Sequence, residues 1–310
     1  MGVRKLVLLG FALAMAACGE VDPLAAARAA CANAESETEA QISACTTLIE
    51  SGELGQSERA IALANRGSAR VLAGDITQAL RDFEAALAAD DQNMHAIMGR
   101  ASILIDSGQV DAAQPLVERL VASGAYRDNA HFLAGRIAAQ RGDIAAALGA
   151  YDAAIAANAR FAPALANRAG LKQTQQDYPG ALADFDAAIA INPRLSPALA
   201  GRCWTRVLQE DGDIPRARAD GDAAVSSDPR NVNGQLCRGL LQLRASDWAG
   251  AQASYEAALE VEPGNPAALF GRGVARRRAG DGAGREDMNQ ARDFDHHIAQ
   301  RFDDLGVRSY

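Results

Sequence analysis

Five cysteines and four histidines are the side chains of this 310-residue chain best suited to act as nucleophiles or metal ligands. The thiols stand at Cys18, Cys31, Cys45, Cys203 and Cys237, the imidazoles at His95, His131, His296 and His297. Their spacing limits what they can do. A zinc site needs closely paired cysteines or a His-Glu-x-x-His helix turn, and neither pattern occurs. His95 and His131 fall in separate helical segments, and adjacent His296 and His297 point to different sides of a helix. A Gly-x-Ser-x-Gly elbow and a phosphate loop are missing as well. Carboxylates are plentiful, 39 Asp and Glu against 31 Lys and Arg, but nearly all fall on polar helix faces, where a solvated role is expected. The sequence therefore argues against an enzyme, a metal site and a cofactor. The net charge of −8 argues against a nucleic-acid binder, which needs a basic face to displace counterions. With 49% hydrophobic and 23% charged residues the chain can fold. What remains for the cysteines is pairing, and an odd number leaves one over.

The first seventeen residues read as an address. Arg4 and Lys5 precede the uncharged run Leu6 to Ala17, which falls short of the roughly twenty residues a membrane-spanning helix needs. This is the layout of a secretory signal peptide. Met15-Ala16-Ala17-Cys18-Gly19 then resembles the lipobox of bacterial lipoproteins, in which the cysteine is lipid-modified and becomes the new N-terminus. The resemblance implies acylation of Cys18, membrane contact through that anchor, and a periplasm-facing lipoprotein with Gly19 favouring the outer membrane. The alternative is cleavage at Ala14-Met15-Ala16, which releases a soluble periplasmic protein. With Cys18 acylated, an even four cysteines remain for an oxidising compartment.

From residue 60 onward the chain repeats itself. Gly74-Asp75-Ile76, Gly142-Asp143-Ile144, Gly212-Asp213-Ile214 and Gly280-Asp281 each end one helical pattern and begin another. Ala79, Ala113, Ala147 and Ala181 stand at the same phase, and so do Phe83, Val117, Tyr151 and Phe185. Small residues belong where two helices cross closely and large ones where the gap must be filled. A period of 34 with two helical segments is the signature of a helix-turn-helix solenoid. The pattern resembles the tetratricopeptide repeat: small at position 8, Gly at 15, Ala at 20, aromatic at 24, Ala at 27, Pro at 32. The frames are 60–93, 94–127, 128–161, 162–195, 196–231, 232–265 and 266–299, with Gly67, Ala101, Gly135, Ala169, Cys203, Gly239 and Gly273 at position 8. The fifth frame carries two extra residues, placed in the turn Gln209-Glu210-Asp211. The seventh has Gly282 and Gly284 where its second helix should begin, so that helix is expected to be short. The fold class is thus all-α: a right-handed α-solenoid of about seven units. Ahead of it come a signal peptide (1–17), a tether (18–23) and a helical hairpin (24–59), with a C-terminal cap over 300–310. Within the hairpin, Ser36-Glu37-Thr38-Glu39 has the form of a capping box, and Ile42, Cys45, Leu48 and Ile49 share one face.

The leader run Ile42 to Ile49 resembles that of secreted tetratricopeptide proteins of alphaproteobacteria, which often carry two cysteines there. The resemblance implies a Cys31–Cys45 bridge across the hairpin, worth about 3 kcal/mol in the chain-entropy model. Gly201-Arg202-Cys203-Trp204 resembles an element of the same proteins. Cys203 and Cys237, at positions 8 and 6 of adjacent repeats, are within reach of a bridge. In those relatives the partner cysteine often lies in the following helix, where this chain has Gly221; the alternative to the bridge is that Cys203 is simply the small residue position 8 requires.

Arg66, Arg100, Arg168, Arg202, Arg238 and Arg272 recur at position 7, with Asp82, Asp184 and Asp220 at position 23. We read this as scaffold, the alternative being a ladder for an acidic partner. In the family, positions 2, 5, 9, 12 and 13 face the concave side. Here they include Met98, Ser102, Phe132, Arg136, Trp204, Leu208, Phe270, Arg277 and Arg278. Aromatic and arginine side chains are the usual anchors of interfaces, although Trp204 also fits an inter-repeat core. The expectation is a monomeric, noncatalytic envelope adaptor that holds a protein or extended peptide. The alternative is a self-associating structural scaffold.

Overall fold

The computed structural model describes residues 23–209 and 212–308, and among these it contains seventeen α-helices and no strand. The signal segment 1–17, Cys18 with tether residues 19–22, and two residues of the expected insertion, Glu210 and Asp211, lie outside the described residues. The chain divides into two compact units, residues 1–103 and 104–310. The first holds α1 (Pro23–Ala32), α2 (Thr38–Ser51), α3 (Gln56–Leu72), α4 (Ile76–Ala89) and the start of α5 (Met94–Asp106). The second continues with α6 (Val110–Ser123), α7 (Arg127–Gln140), α8 (Ile144–Ala157), α9 (Ala162–Thr174) and α10 (Tyr178–Ile191). It ends with α11 (Ser196–Leu208), α12 (Ile214–Ser227), α13 (Val232–Arg244), α14 (Trp248–Val261), α15 (Pro266–Arg278), α16 (Gly284–Phe294) and α17 (Ile298–Asp304).

Local chemistry explains the regular breaks. At Gly74 the backbone turns left-handed, with φ at 82°, and its N–H donates to Val71 O while the Asp75 N–H donates to Arg70 O. This closes α3, and the Asp75 carboxylate then accepts from the Gln78 N–H to open α4. Asp143, Asp177, Asp213 and Asp247 cap α8, α10, α12 and α14 in the same way. The turn before α10 and that before α14 use Gln176 and Ser246 in the left-handed region instead of glycine. The capping box expected at Ser36-Glu37-Thr38-Glu39 does not form. Glu37 is the N-cap of α2 and its side chain makes no capping bond, since a carboxylate on a longer stem does not match the short reach of Asp or Ser. As expected, α16 is shorter than the other second helices, starting at Gly284.

One packing device recurs in both units. A ring from the second helix of a repeat passes between the first helix of that repeat and the first helix of the next. Phe83 lies against Gly67 and Gly99, and a Cβ on Gly67 would stand 2.8 Å from the ring. Tyr151 lies against Gly135, Phe185 against Gly201, and Tyr255 between Gly239 and Gly271. All four rings are at most 2% exposed.

The fifth repeat breaks the rule at all three positions together. Gly221 stands where the ring should be, while Cys203 and Cys237 occupy the two positions the ring would touch. The two cysteines sit at disulfide distance, with Cα atoms 6.4 Å apart, and a Cβ on Gly221 would lie 3.3 Å from Cys203 Sγ. A sulfur bridge fills the slot a ring fills elsewhere. In the first unit, Cys31 of α1 and Cys45 of α2 are also at disulfide distance, Cα to Cα 4.7 Å, and belong to one buried cluster with Leu48, Leu63 and Phe83.

The exchange of ring for bridge makes a prediction. Replacing Cys203 and Cys237 by alanine should cost roughly 3–4 kcal/mol in urea denaturation. The triple change Cys203→Gly, Gly221→Phe, Cys237→Gly should recover most of that loss and be insensitive to reductant. A triple variant as weak as the double one would refute the equivalence.

Candidate functional site

The recurring arginines are tied down. Arg168 Nε and Nη2 donate to the two Asp184 oxygens at 2.8 and 2.6 Å, and Lys172 Nζ adds a third bond at 2.7 Å. Arg66 grips Asp82 in the same forked way with Arg70 beside it, and Arg272 grips Asp287 with Arg276 beside it. Arg202 grips Asp220, which also accepts from Arg206. In the sixth repeat Ser254 replaces the aspartate, and Arg238 Nε donates to its hydroxyl at 2.9 Å. Each of these aspartates is buried and each guanidinium is largely covered. The structure therefore assigns these five arginines to the scaffold, against the reading of a ladder for an acidic partner. Arg100, whose repeat has Leu116 at the aspartate position, instead lies 3.8 Å from Glu84.

The second cation of each cluster was missed from the sequence, although it keeps the same register: Arg70, Lys172, Arg206 and Arg276 all stand at position 11. So was the further acidic partner of the second unit, Asp152 for Arg168 and Asp186 for Arg202, each at 2.6 Å. Burial works to raise the Asp184 pKa, but the hydrogen bonds from Arg168 and Lys172 outweigh it and hold the carboxyl below the usual range.

With the ladder assigned to the scaffold, the candidate binding surface is the first-helix face. On α7, Phe132 is half-buried, its ring edge-on to Phe161 at 5.3 Å and tilted against Tyr151 at 6.0 Å. Arg136, one turn on, lies over the Phe132 ring at 5.9 Å and donates to Asp106 at 2.5 Å. The second unit thus presents an aromatic pair beside a guanidinium already held in place. Met98 and Ser102 are half-buried on α5. Leu208, the last residue of α11, is 40% exposed.

The C-terminal end of the second unit departs from expectation. Phe270 is not offered to a partner. It is fully buried, because Phe302 of α17 lies 4.9 Å from its ring and Arg292 stacks over it at 5.6 Å. Trp204 is half-buried, packs against the same core and donates its indole N–H to Asn233 O at 3.1 Å. Arg278 donates to Arg308 O at 3.1 Å, which fastens the tail, and Arg277 reaches Met288 of α16. The tail was expected to cover the last apolar face. It reaches further, with Ile298, Phe302 and Val307 in one cluster with residues of α11 and α13. Among the described residues, no group of three His, Cys, Asp or Glu side chains is placed to hold a metal ion.

Comparisons with known proteins agree on the repeat. Two family models described as tetratricopeptide repeat match the chain, one over residues 70–137 and the other over 132–198 and 236–284. No curated protein matches the sequence. Among solved structures, a chain of the APC/C hetero-tetramer Cut9–Hcn1 superposes with a TM-score of 0.67 at 14% identity, covering 94% of this chain and 57% of that one. A tetratricopeptide repeat protein from Parabacteroides merdae gives a TM-score of 0.51 at 18% identity, over 81% of this chain and 98% of its own. The protein TTC0263 of Thermus thermophilus gives 0.52 at 18% identity, over 59% of this chain and 99% of its own. At these identities the likeness is one of fold.

The buried pairs set an acid limit. Because the folded-state pKa of Asp184 is depressed, its ion pairs contribute fully above the unfolded value near 3.9 and fade as pH falls through the folded one. Asp184→Asn should lower stability at pH 7 by roughly 3 kcal/mol, since two cations lose their partner. It should also flatten the loss of stability below about pH 4. Urea titrations across pH check both, and an acid limb identical to wild type would contradict the assignment.

Proposed function

We propose that this chain, an array of tetratricopeptide repeats, is a noncatalytic scaffold of the bacterial cell envelope that holds a segment of a partner protein against its first helices. The observation that carries the proposal is the half-exposed Phe132 with Phe161 and Arg136 at its side. An aromatic pair beside a positioned guanidinium offers a large contact area at small entropic cost, as interface anchors do. The fitting partner segment is extended and places an apolar side chain on the Phe132–Phe161 pair. The matched solved structures include one subunit of a hetero-tetramer, which fits a role in an assembly.

The envelope location rests on the cysteines. Two pairs at disulfide distance suit an oxidising compartment. In the proposal Cys18 is acylated after removal of residues 1–17, which takes away Arg4 and Lys5 and leaves the protein tethered by its lipid, monomeric and facing the periplasm. Several acyl chains suffice for such an anchor, at about 0.8 kcal/mol per buried methylene. Among the described residues no helix is long and apolar enough to cross a membrane.

The two halves of the proposal are tested separately. Intact mass of the native protein should show an N-terminus at Cys18 with added acyl mass and partition into detergent, both lost in Cys18→Ser. An unmodified, soluble chain cleaved near Ala16 would remove the anchor and leave the scaffold free in the periplasm. Cross-linking in envelope fractions should capture a partner whose affinity falls about tenfold or more in Phe132→Ala. A partner captured equally well by that variant would move the binding surface elsewhere.

A further inference from the structure

The tail of the second unit lies against a row of first helices. Trp204 of α11, Leu236 and Leu240 of α13, and Ala267 of α15 line a half-open pocket of about 160 Å³ together with Ile298, Phe302 and Leu305 of the tail. Phe302 also packs on Phe270 of α15, ring to ring at 4.9 Å. Leu236 and Phe270 hold the register position that Phe132 holds on α7, the fifth of their repeats. Phe132 is half-exposed, whereas both counterparts are buried. The surface that stays open on α7 is therefore closed on α13 and α15 by a segment of the same chain.

That segment sits as a ligand helix would. Ile298, Phe302 and Leu305 are spaced i, i+4 and i+7, which turns three apolar side chains to one face. Gln300, Arg301, Asp303 and Asp304 are exposed, and the first two bond within the tail itself, to Asp304 and Asp295. Two features make α17 replaceable. Its seven residues fall short of the roughly 12–15 at which a lone helix becomes even marginally stable, so it is helical only while docked. It also leaves the pocket against Trp204 unfilled, with room for one large apolar side chain. We propose that the face formed by α11, α13 and α15 is a docking groove for an amphipathic helix of a partner protein, and that α17 occupies this groove until such a helix displaces it. The fitting helix carries apolar residues at i, i+4 and i+7, as α17 does, and adds a large one that fills the pocket beside Trp204. The groove shares no residue with the Phe132 surface and does not depend on the extended segment proposed there.

The test uses the full chain and, as probe, a fluorescent peptide of residues 295–308 added in trans. In Phe302→Glu the chain's own α17 loses its seat. The peptide should then bind at least about tenfold more tightly than to wild type, whose groove is free in only a small fraction of molecules. Trp204→Ala added to Phe302→Glu should weaken binding several-fold, and Phe132→Ala added to it should change nothing. Equal binding to wild type and to Phe302→Glu would overturn the proposal. So would no binding to a folded Phe302→Glu chain below about 1 mM, since a tethered segment that weak would not stay seated. If Phe302→Glu does not fold, hydrogen exchange of the wild type decides. The amides of α17 should exchange by local opening, well ahead of those of α13 and α15. Exchange of α17 only on global unfolding would show that it does not leave the groove, and the inference would fail. Light scattering checks the occupant: a wild-type dimer that Phe302→Glu dissociates would put a second copy's α17 in the groove and overturn the reading of a foreign helix.

Discussion

The structure depends on one steric arrangement, the insertion of a second-helix ring between two successive first helices. A helix pair cannot bury its apolar stripe alone, so each repeat must dock on the next. The ring joins them because it touches both at once. That demand fixes the small residues on either side of it, Gly67 and Gly99 for Phe83, Gly239 and Gly271 for Tyr255. It also accounts for the departures. When the ring is lost at Gly221, the space is filled by Cys203 and Cys237 reaching toward each other. When the ring is a tyrosine, its hydroxyl must find a partner in the next repeat. Asn167 supplies one for Tyr151, and Gly271 supplies none for Tyr255.

The charged clusters solve the neighbouring problem. The aspartate precedes the ring by one residue, so the same turn that inserts the ring also carries a carboxylate into the helix crossing. Burying that carboxylate is unfavourable unless its oxygens are filled, and a forked guanidinium with a second cation fills them. Replacing such a cluster with apolar residues would not obviously weaken the fold. What it does supply is a fixed pairing of the two helices within a repeat, because the first helix presents two cations one turn apart to the same aspartate. The same logic removes most of the chain's recurring arginines from consideration as a binding surface. Arg136 is different: its Asp106 partner is exposed and its guanidinium covers an aromatic face, not a buried aspartate.

Most of the repeat was legible in the sequence because its determinants are local and periodic. Gly-Asp pairs mark the breaks, alanines mark the crossings, and position 7 with position 23 marks the ion pairs. The second cation, at position 11, obeys the same period and was open to the same reading. Three features were not legible. The cap at Ser36-Glu37-Thr38-Glu39 has the right letters, but the helix starts one residue late for its serine to serve. The burial of Phe270 depends on where the tail runs, and the tail has no repeat to report its path. The orphaned Tyr255 hydroxyl emerges only when two tyrosines in the same slot are compared together with the residues that face them.

The tail also divides the first-helix face of the second unit into two chemically different regions. Over α15 the side chains that position in the repeat would offer to a partner are covered by Phe302 and Ile298, and Phe270 becomes core. The segment after α16 departs from the repeat, and its atypical helix α17 covers the apolar face of α15 as a capping segment does. Here α17 is a short helix, seven residues against thirteen in α15, and it leaves an open pocket against Trp204 and Leu240. Among the described residues nothing covers α7 in this way, and Phe132 stays half-exposed with its neighbours already in place. In the proposed function a macromolecular partner therefore meets the α7 region, where Phe132 is half-exposed. The contrast follows from where α17 is laid: it packs on Phe270 of α15 and leaves Phe132 of α7 half-exposed.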